Sequence, residues 1–295
     1  MNLNNHTPSP TPLGRGIYVK LTLFFVLLGL LLVGIGWLLH RGGHFQPEGY
    51  LEYEEALEPT ETTNVPFFNT TLHFHDLTEV HITTTTYDVE IRGVHTLQDL
   101  RIVFTGSTEP QMQISEYYVN QAKSLSITTQ ENGEYGSIVV YAPIGKLEAL
   151  SVNSTHGQIT IEAIEVNFAR MYTTNGDVTV NSSNFDAVGI SSNSGTIEIN
   201  RISFIDLVID SVNGNVKIVY ANAIGGAIEI ASTYGDISFR TTAPVSHFFY
   251  RVQSFGRVYV NGETVTENDH HGGSVTGVPL DIISVSGDVN LQFGR

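Results

Sequence analysis

The chain has 295 residues with 30 Asp and Glu against 14 Lys and Arg, a formal net charge of −16, and no cysteine. This acidity disfavours nucleic acid and anionic lipid headgroups as partners, because like charges repel. The absence of cysteine excludes disulfides, thiolate metal sites, thiol redox motifs and cysteine nucleophiles.

The first predicted element is a transmembrane helix at residues 21–40. Its twenty residues include no Asp, Glu, Lys or Arg, and a helix of that length spans about 30 Å, the thickness of a bilayer core. A cleaved signal peptide is the alternative, but the apolar run exceeds the usual length of about 7–15 residues and no A-x-A-like site follows it. Arg15 and Lys20 precede the helix whereas only Arg41 follows it closely, which predicts a short cytoplasmic tail at residues 1–20.

An acidic stalk at residues 41–66 follows the helix, and one domain is predicted at residues 67–295. The portion beyond the helix carries all 30 acidic residues and 12 of the 14 basic ones, a formal charge of −18. The stalk contains six glutamates, and we expect it to act as a spacer.

We expect the domain to lie outside the cell or in a lumen. Three N-x-S/T sequons in this part of the chain are then candidates for N-glycosylation, at Asn69, Asn153 and Asn181.

The domain consists of a repeat of 19 to 21 residues centred on a glycine. In each repeat an alternating apolar segment leads through a Ser or Thr to the glycine, and a second alternating segment follows. Alternation at a period of two on both sides of a turn predicts two half-buried strands per repeat. The predicted turn glycines are Gly157, Gly176, Gly195, Gly214, Gly235, Gly256 and Gly287.

Alignment of the repeats on the glycine gives apolar columns that predict the core. Two columns precede the glycine, two follow it, and a fifth lies nine residues beyond it. The fifth column is expected to fill the return turn and contains Val166, Phe185, Phe204 and Ala223. The repeat at Gly256 fits only with a turn that is one residue shorter. That turn places Tyr250, Val252 and Ser254 inside and avoids burying Arg251 without a partner.

A column of hydroxyl residues lies just before the turns, on the inward side of the strand. Its members are Ser154, Thr173, Ser192, Ser211, Ser232, Ser254 and Ser284. No His or Lys accompanies them at a fixed offset, so we interpret them as a structural polar ladder and not as a row of nucleophiles. Because strands stack about 4.8 Å apart, the hydroxyls are expected to hydrogen-bond along the ladder. At Asn175-Gly176 and Asn213-Gly214 the glycine is expected to supply a positive φ.

These patterns predict an all-β fold, a single-stranded β-solenoid resembling a parallel β-helix, with about 8–10 rungs of 19–21 residues. Less regular opening rungs are expected at residues 80–91 and 125–140. A Gly-rich insertion at residues 261–278 interrupts the repeat and is expected to protrude or to fold over one end. The last rung ends at Leu291 and is expected to form the end of the stack, where its strand edge is covered either by the insertion or by another molecule. The second alternative is self-association through this terminal rung.

A polysaccharide lyase or hydrolase is the alternative function, because parallel β-helices are a common scaffold for such enzymes. Asp177, Asp236 and Asp288 each follow a turn glycine. Asp177 and Asp236 are expected to lie about 14 Å apart, which is too far for a glycosidase pair, so the three are interpreted as turn residues. Glu198 and Lys217 are expected to form a surface ion pair on adjacent rungs.

Histidines supply one metal hypothesis in two places. His73 and His75 share a strand face and are candidate ligands together with His81, while His270 and His271 lie in the insertion. Ordinary surface histidines explain both groups. The sequence therefore predicts no metal site, no other cofactor and no catalytic residue.

Four of the repeats resemble the putative-adhesin β-solenoid domains found in many bacterial and some eukaryotic proteins: MYTTNGDVTV, GISSNSGTIEI, VIDSVNGNVKI and EIASTYGDISF. The resemblance covers residues 125–293. It implies a β-solenoid that is often paired with a transmembrane helix, and it transfers no catalytic residue. We therefore expect a single-pass membrane protein whose outward domain is a non-enzymatic module for adhesion, scaffolding, or interaction with a protein or glycan.

Overall fold

The computed structural model describes residues 61–65, 70–106, 112–119, 122–129, 136–223 and 225–294. These residues belong to one compact unit, Glu55–Arg295. The predicted cytoplasmic tail, the predicted transmembrane helix, most of the stalk and Asn69 lie outside the described residues. Within the described ranges, no helix is long and apolar enough to cross a membrane.

The described residues form 25 strands and one short 3-10 helix, Val245–His247, which confirms the all-β class. The strands are β1 (Glu61–Val65), β2 (Thr70–Phe74), β3 (Glu79–Thr84), β4 (Tyr87–Val94), β5 (Leu100–Gly106), β6 (Met112–Val119), β7 (Ala122–Thr129), β8 (Gly136–Pro143), β9 (Leu147–Ser154), β10 (Ile159–Glu162), β11 (Glu165–Thr173), β12 (Val178–Asn181), β13 (Asn184–Ser192), β14 (Ile197–Asn200), β15 (Ser203–Ser211), β16 (Val216–Val219), β17 (Asn222–Ala223), β18 (Ile228–Ser232), β19 (Ile237–Pro244), β20 (Phe248–Ser254), β21 (Val258–Val260), β22 (Glu263–Val265), β23 (Asp269–Gly273), β24 (Val278–Ser284) and β25 (Val289–Gly294).

The strands form two sheets with matching orders. The first sheet runs β1-β6-β7-β3-β9-β11-β13-β15-β18-β24-β20-β23, with β17 beside β15. The second runs β2-β5-β8-β4-β10-β12-β14-β16-β19-β25-β21-β22. Each coil of the solenoid therefore contributes one strand to each sheet. Among the described strands, nine coils stack in parallel from β7/β8 to β20/β21, within the predicted 8–10 rungs.

The order of the coils in space departs from their order in the chain near both ends. The coil β3/β4 lies between β7/β8 and β9/β10. The last coil, β24/β25, lies between β18/β19 and β20/β21. The expectation that the rung at Leu291 forms the end of the stack is therefore wrong, because both edges of this coil are paired with other coils. Self-association stays a prediction, but this coil cannot provide the free edge for it.

Antiparallel strands cover both ends of the parallel stack. At one end, β6 and β5 pair with β7 and β8, and β1 and β2 pair beyond them. At the other end, β23 pairs with β20 and β22 pairs with β21. Both β22 and β23 come from the predicted insertion, which therefore folds over one end. Strand β23 reads DHHGG, and its charged and glycine residues discourage further strand pairing.

The predicted apolar columns form the core between the two sheets. Met171, for example, lies in register between Val152 and Ile190, and all three are buried. The fifth column also aligns as predicted. The shorter turn at Gly256 is confirmed, because Tyr250 and Val252 are buried while Arg251 is exposed.

The turn glycines are required by the close stacking of the coils. None of the seven has a positive φ, so that expectation for Gly176 and Gly214 is wrong. A Cβ on Gly195 would overlap the carbonyl oxygen of Gly176, and a Cβ on Gly214 would overlap the carbonyl oxygen of Gly195. The same relation continues along the column to Gly256, so the backbones approach too closely for any side chain.

The hydroxyl column is buried, but most of its hydrogen bonds lie within a turn and not along the ladder. The Oγ of Ser211 donates to the carbonyl oxygen of Gly214 at 2.8 Å and accepts from its N–H at 3.2 Å. A hydroxyl three residues before the glycine can satisfy turn groups that the strands leave unpaired. A bond between stacked hydroxyls is found outside the predicted column, in the opening coils, where Thr129 donates to Thr84 at 3.0 Å. Ser154 of the column has a buried Oγ without a hydrogen-bond partner among the described residues.

Candidate functional site

A groove crosses four strands on the outer face of the first sheet. Strands β15, β18, β24 and β20 lie side by side, so their outward side chains form two columns across the strands. One column contains Val208, Glu229, Asp281 and Arg251, and the other contains Asp210, Ala231, Ile283 and Gln253. These eight residues, with Ile209, Ile230 and Ile282 of the same strands, line an open groove of about 270 Å³, called the acidic groove below.

The acidic groove has an excess of negative charge. Arg251, at one end, is bound by Asp269 of β23, with its Nε 3.1 Å from Oδ1 and its Nη2 3.0 Å from Oδ2. This bidentate ion pair neutralises the arginine. The other three charged side chains of the groove are those of Asp210, Glu229 and Asp281. Their carboxylates accept no hydrogen bond from any described residue.

The pKa values of two carboxyl groups, that of Asp269 beside the groove and that of Asp210 within it, are shifted in opposite directions. The hydrogen bond from Arg251 holds the pKa of Asp269 below its ordinary value. Asp210 is exposed at one side, yet the loss of hydration in the groove raises the pKa of its carboxyl group. A carboxylate that has lost water without gaining a donor is stabilised by a nearby cation.

An exposed apolar patch borders the acidic groove at the glycine corner. This corner patch consists of Val212, Tyr234, Phe255, Ile283 and Val285, of which Phe255 is the most exposed at 79%. Three earlier coils have polar residues at the positions equivalent to Val212, Phe255 and Val285, namely Thr155, Thr174 and Asn193. Thr233 lies between Val212 and Val285 in this column, so the apolar residues are grouped at one corner but interrupted by one polar residue. Groups of exposed apolar side chains are typical of interaction surfaces. Sequence reasoning missed this patch, although the change from polar to mostly apolar within one column was the available signal.

The aspartates that follow the glycines cap the backbone of a neighbouring coil. The Oδ1 of Asp177 accepts from the N–H of Thr196 at 2.7 Å, and the Oδ1 of Asp236 accepts from the N–H of Asp288 at 2.8 Å. These contacts agree with the interpretation as turn residues. Asp236 and Asp288 are neighbours because β25 pairs with β19. This pairing was not evident from the sequence. Hydrogen bonds from Arg257 lower the pKa of Asp288 and keep it anionic.

The predicted ion pair between Glu198 and Lys217 is present on the outer face of the second sheet. The Nζ of Lys217 lies 2.7 Å from the Oε1 of Glu198, across β14 and β16. Both side chains are about half exposed, so the pair contributes at most about 1 kcal/mol to stability. Its geometry is that of a surface ion pair.

The histidines of the metal hypothesis do not converge. His81 lies on β3 of the first sheet, whereas His73 lies on β2 of the second. His270 and His271 are consecutive on β23 and face opposite sides, and the His270 ring lies 3.2 Å from the Tyr250 hydroxyl. In the part of the chain that the structure describes, no group of three or more His, Asp or Glu residues is placed to hold a metal ion.

Two of the three predicted sequons lie within the described strands. Asn153 is on β9 and Asn181 is on β12, and both side chains are half-buried. Ser183, the hydroxyl residue of the second sequon, is buried and donates to the carbonyl oxygen of Asn181 at 2.8 Å. Asn153 alternates with the buried Val152 and Ser154, so its side chain lies on the outer face of the first sheet.

The profile of the family described as Toastrack DUF4097 matches residues 121–292, more than half of the chain. The chain belongs to the Toastrack DUF4097 family. The Toastrack match covers nearly the same residues as the predicted resemblance at residues 125–293. It includes all residues of the acidic groove and the corner patch.

Several solved structures are similar to the chain that contains this Toastrack domain. A putative cell adhesion protein from Clostridium sporogenes has 11% identity and a TM-score of 0.40, covering 78% of this chain and 100% of that one. A putative adhesin from Bacteroides fragilis has 12% identity and a TM-score of 0.39, with coverages of 79% and 97%. A putative lipid binding protein from Parabacteroides distasonis has 14% identity and a TM-score of 0.35, with coverages of 80% and 98%. At these values none of them assigns a function, and no curated protein matches the chain.

Proposed function

We propose that the chain is a membrane-anchored, non-enzymatic interaction module on the cell surface or in a lumen, where it serves adhesion or scaffolding. The observation that supports this proposal is the corner patch, in which five large apolar side chains are exposed together beside an anionic groove. Single exposed apolar residues are common on any protein, but several of them grouped at one corner favour a partner surface. A protein is the partner that such a patch favours.

The scaffold supports the same proposal because it holds the surface in one arrangement. The strands β15, β18, β24 and β20 are paired along their lengths, and the inward side of each is buried in the common core. A surface that is already ordered loses little conformational entropy on binding. Adhesion and scaffolding both depend on such a pre-organised face.

A polysaccharide lyase or hydrolase is the second candidate. One observation favours it: Glu229 and Asp281 face the acidic groove on neighbouring strands, and carboxyl groups about 5 Å apart serve retaining glycosidases. Against it, the residues that line the groove include no aromatic ring on which a sugar could stack, and the exposed rings of Tyr234 and Phe255 lie only at its border. Incubation of the full-length protein with a panel of polysaccharides separates the two functions. Release of reducing or unsaturated ends would refute the non-enzymatic proposal.

Adhesion is tested with beads that carry the full-length protein and are washed over cells. We expect the triple variant Tyr234→Ser, Phe255→Ser, Val285→Ser to reduce bead retention by about tenfold, because it removes the apolar contacts of the corner patch. A matched control replaces three exposed apolar residues elsewhere, Tyr172→Ser, Ile205→Ser and Tyr220→Ser. Retention that falls equally in both variants, or that neither variant changes, contradicts the assignment of the corner patch.

The location of the domain is tested by glycosidase treatment of the full-length protein expressed in a eukaryotic cell. We expect a gel shift on treatment that decreases stepwise when Asn69, Asn153 and Asn181 are changed individually to Gln, because sequons are glycosylated only on the lumenal side. Protease protection complements the gel shift. A domain that is accessible only from the cytosol would exclude adhesion and leave scaffolding at the inner face of a membrane.

A further inference from the structure

We infer that the acidic groove binds an extended peptide segment with one lysine or arginine and apolar residues beyond it, presented by the protein partner. This inference rests on the proposed function, because it names the ligand of the same surface. The groove supplies the contacts for the cation, and the corner patch supplies the contacts for the apolar residues.

Three carboxylates surround the open space above Ala231. Glu229 and Asp281 are direct cross-strand neighbours, and Asp210 lies diagonally from Glu229 on β15. Neighbouring strands are about 4.8 Å apart, so one ammonium or guanidinium group can contact more than one of these carboxylates. Ala231 contributes only a methyl group and leaves room for the cation. The loss of hydration at Asp210 further favours a bound cation there.

A basic side chain fits these carboxylates better than a metal ion does. Within the described ranges, no three or more His, Asp or Glu residues are close enough together to form a metal site. A lysine or arginine does not require three ligands around one point. Its long apolar stem can lie along the floor of the groove while its charged group reaches the carboxylates. Arg251 is the cross-strand neighbour of Asp281 and interacts with it electrostatically, but its guanidinium group is hydrogen-bonded to Asp269 at the end of the groove. Glu229 and Asp210 lie farther from it along the columns.

The corner patch determines what should accompany the basic residue. Ile283 belongs to both the groove and the patch, and Val285 follows it two residues later on the same side of the chain. Phe255 and Val285 directly follow Ser254 and Ser284, the last paired residues of β20 and β24, so they lie at the same corner of neighbouring coils. In an extended peptide, side chains two residues apart share a face at a repeat of about 7 Å. A basic residue followed by apolar residues at the second and fourth positions therefore matches the surface.

The test uses fluorescein-labelled peptides and fluorescence anisotropy with the full-length protein in mild detergent. The probe GKSVSLSG has one lysine and two apolar residues on one face, and GESVSLSG and GKSSSSSG remove each feature in turn. We expect GKSVSLSG to bind with an affinity that falls as salt is raised, and each control peptide to bind about tenfold more weakly. The groove variant Asp210→Asn, Glu229→Gln, Asp281→Asn should weaken the binding of GKSVSLSG by about tenfold.

A charge-matched control variant separates the groove from the general negative field of the domain. It removes three exposed carboxylates elsewhere, Glu148→Gln, Glu162→Gln and Asp186→Asn, and it should leave affinity within about twofold. Equal weakening in both triple variants, equal binding of the three peptides, or no binding of GKSVSLSG overturns the inference. Cell retention that depends on the corner patch without peptide binding would leave the proposed function intact and reject only this ligand class. Peptide binding without retention would reject adhesion instead.

Discussion

Replacement of Gly195 with alanine is expected to lower the free energy of unfolding by about 3 kcal/mol or more. The added Cβ would overlap the carbonyl oxygen of Gly176 in the coil below. Relief of this overlap would require the two coils to separate where β12 and β14 are paired. Urea unfolding followed by circular dichroism measures the change, provided that the slope of the transition is unaltered.

Gly189 provides the matched control, because it lies on β13 of the same coil but faces outward. No heavy atom lies within 4 Å of the position that its Cβ would occupy. The change Gly189→Ala is therefore expected to alter the free energy of unfolding by no more than about 0.5 kcal/mol, or to raise it slightly. A similar loss of stability in both variants would show that close stacking is not the reason for the glycine column.

Replacement of Phe248 with alanine is expected to lower the free energy of unfolding by about 3–5 kcal/mol. Its ring is fully buried and lies 6.0 Å from the ring of Phe239 and 5.4 Å from that of Phe293. These three residues belong to β20, β19 and β25, so the cavity would open where three coils meet. Thermal or urea unfolding of the variant measures the loss.

The next residue along β20 supplies the comparison. Phe249 points to the outer face and is 43% exposed, so Phe249→Ala is expected to cost less than about 1 kcal/mol. If the two costs were reversed, the inward and outward faces of β20 would be exchanged. The shorter turn at Gly256 would then be wrong.

The apolar columns were predictable from sequence because burial imposes a strict period of two on each strand. Met171 and Ile190, for example, occupy the core positions that the alignment assigned to them. The same rule placed Tyr250 inside and Arg251 outside in a coil with an irregular turn. Whether a side chain points inward or outward depends on its position along one strand, so it can be predicted from each segment separately.

The stacking order was not predictable because the columns do not distinguish one coil from the next. Tyr250 and Leu280 are both apolar at the same position, so either coil could follow β18/β19. In a sequential stack, Glu229 would lie directly beside Arg251. The observed order inserts Asp281 between them, which adds one more carboxylate to the column. The anionic character of the acidic groove thus depends on a long-range arrangement that no single repeat encodes.

For the glycine and hydroxyl columns, the sequence predicted the positions of the residues but not their structural role. An invariant glycine within a repeat is compatible with a positive φ or with a close approach of backbones, and the pattern is the same in both cases. The structure distinguishes them at Gly214, where a Cβ would overlap the coil below. A buried column of hydroxyls is likewise compatible with bonds along the stack or within each turn. At Ser211 the turn provides the nearer partners.

The position of β24 and β25 between two earlier coils has a consequence for assembly during synthesis. Strands β20 and β21 leave the ribosome before β24 and β25, so their neighbours do not yet exist when they emerge. These coils can reach their final places only after residues 278–294 have been made. Once in place, β24 and β25 are paired on both edges, so the stack cannot be peeled from this end one strand at a time in chain order. Removal of this coil from the stack therefore breaks its pairing with the earlier coil β18/β19 and with β20/β21 at the same time.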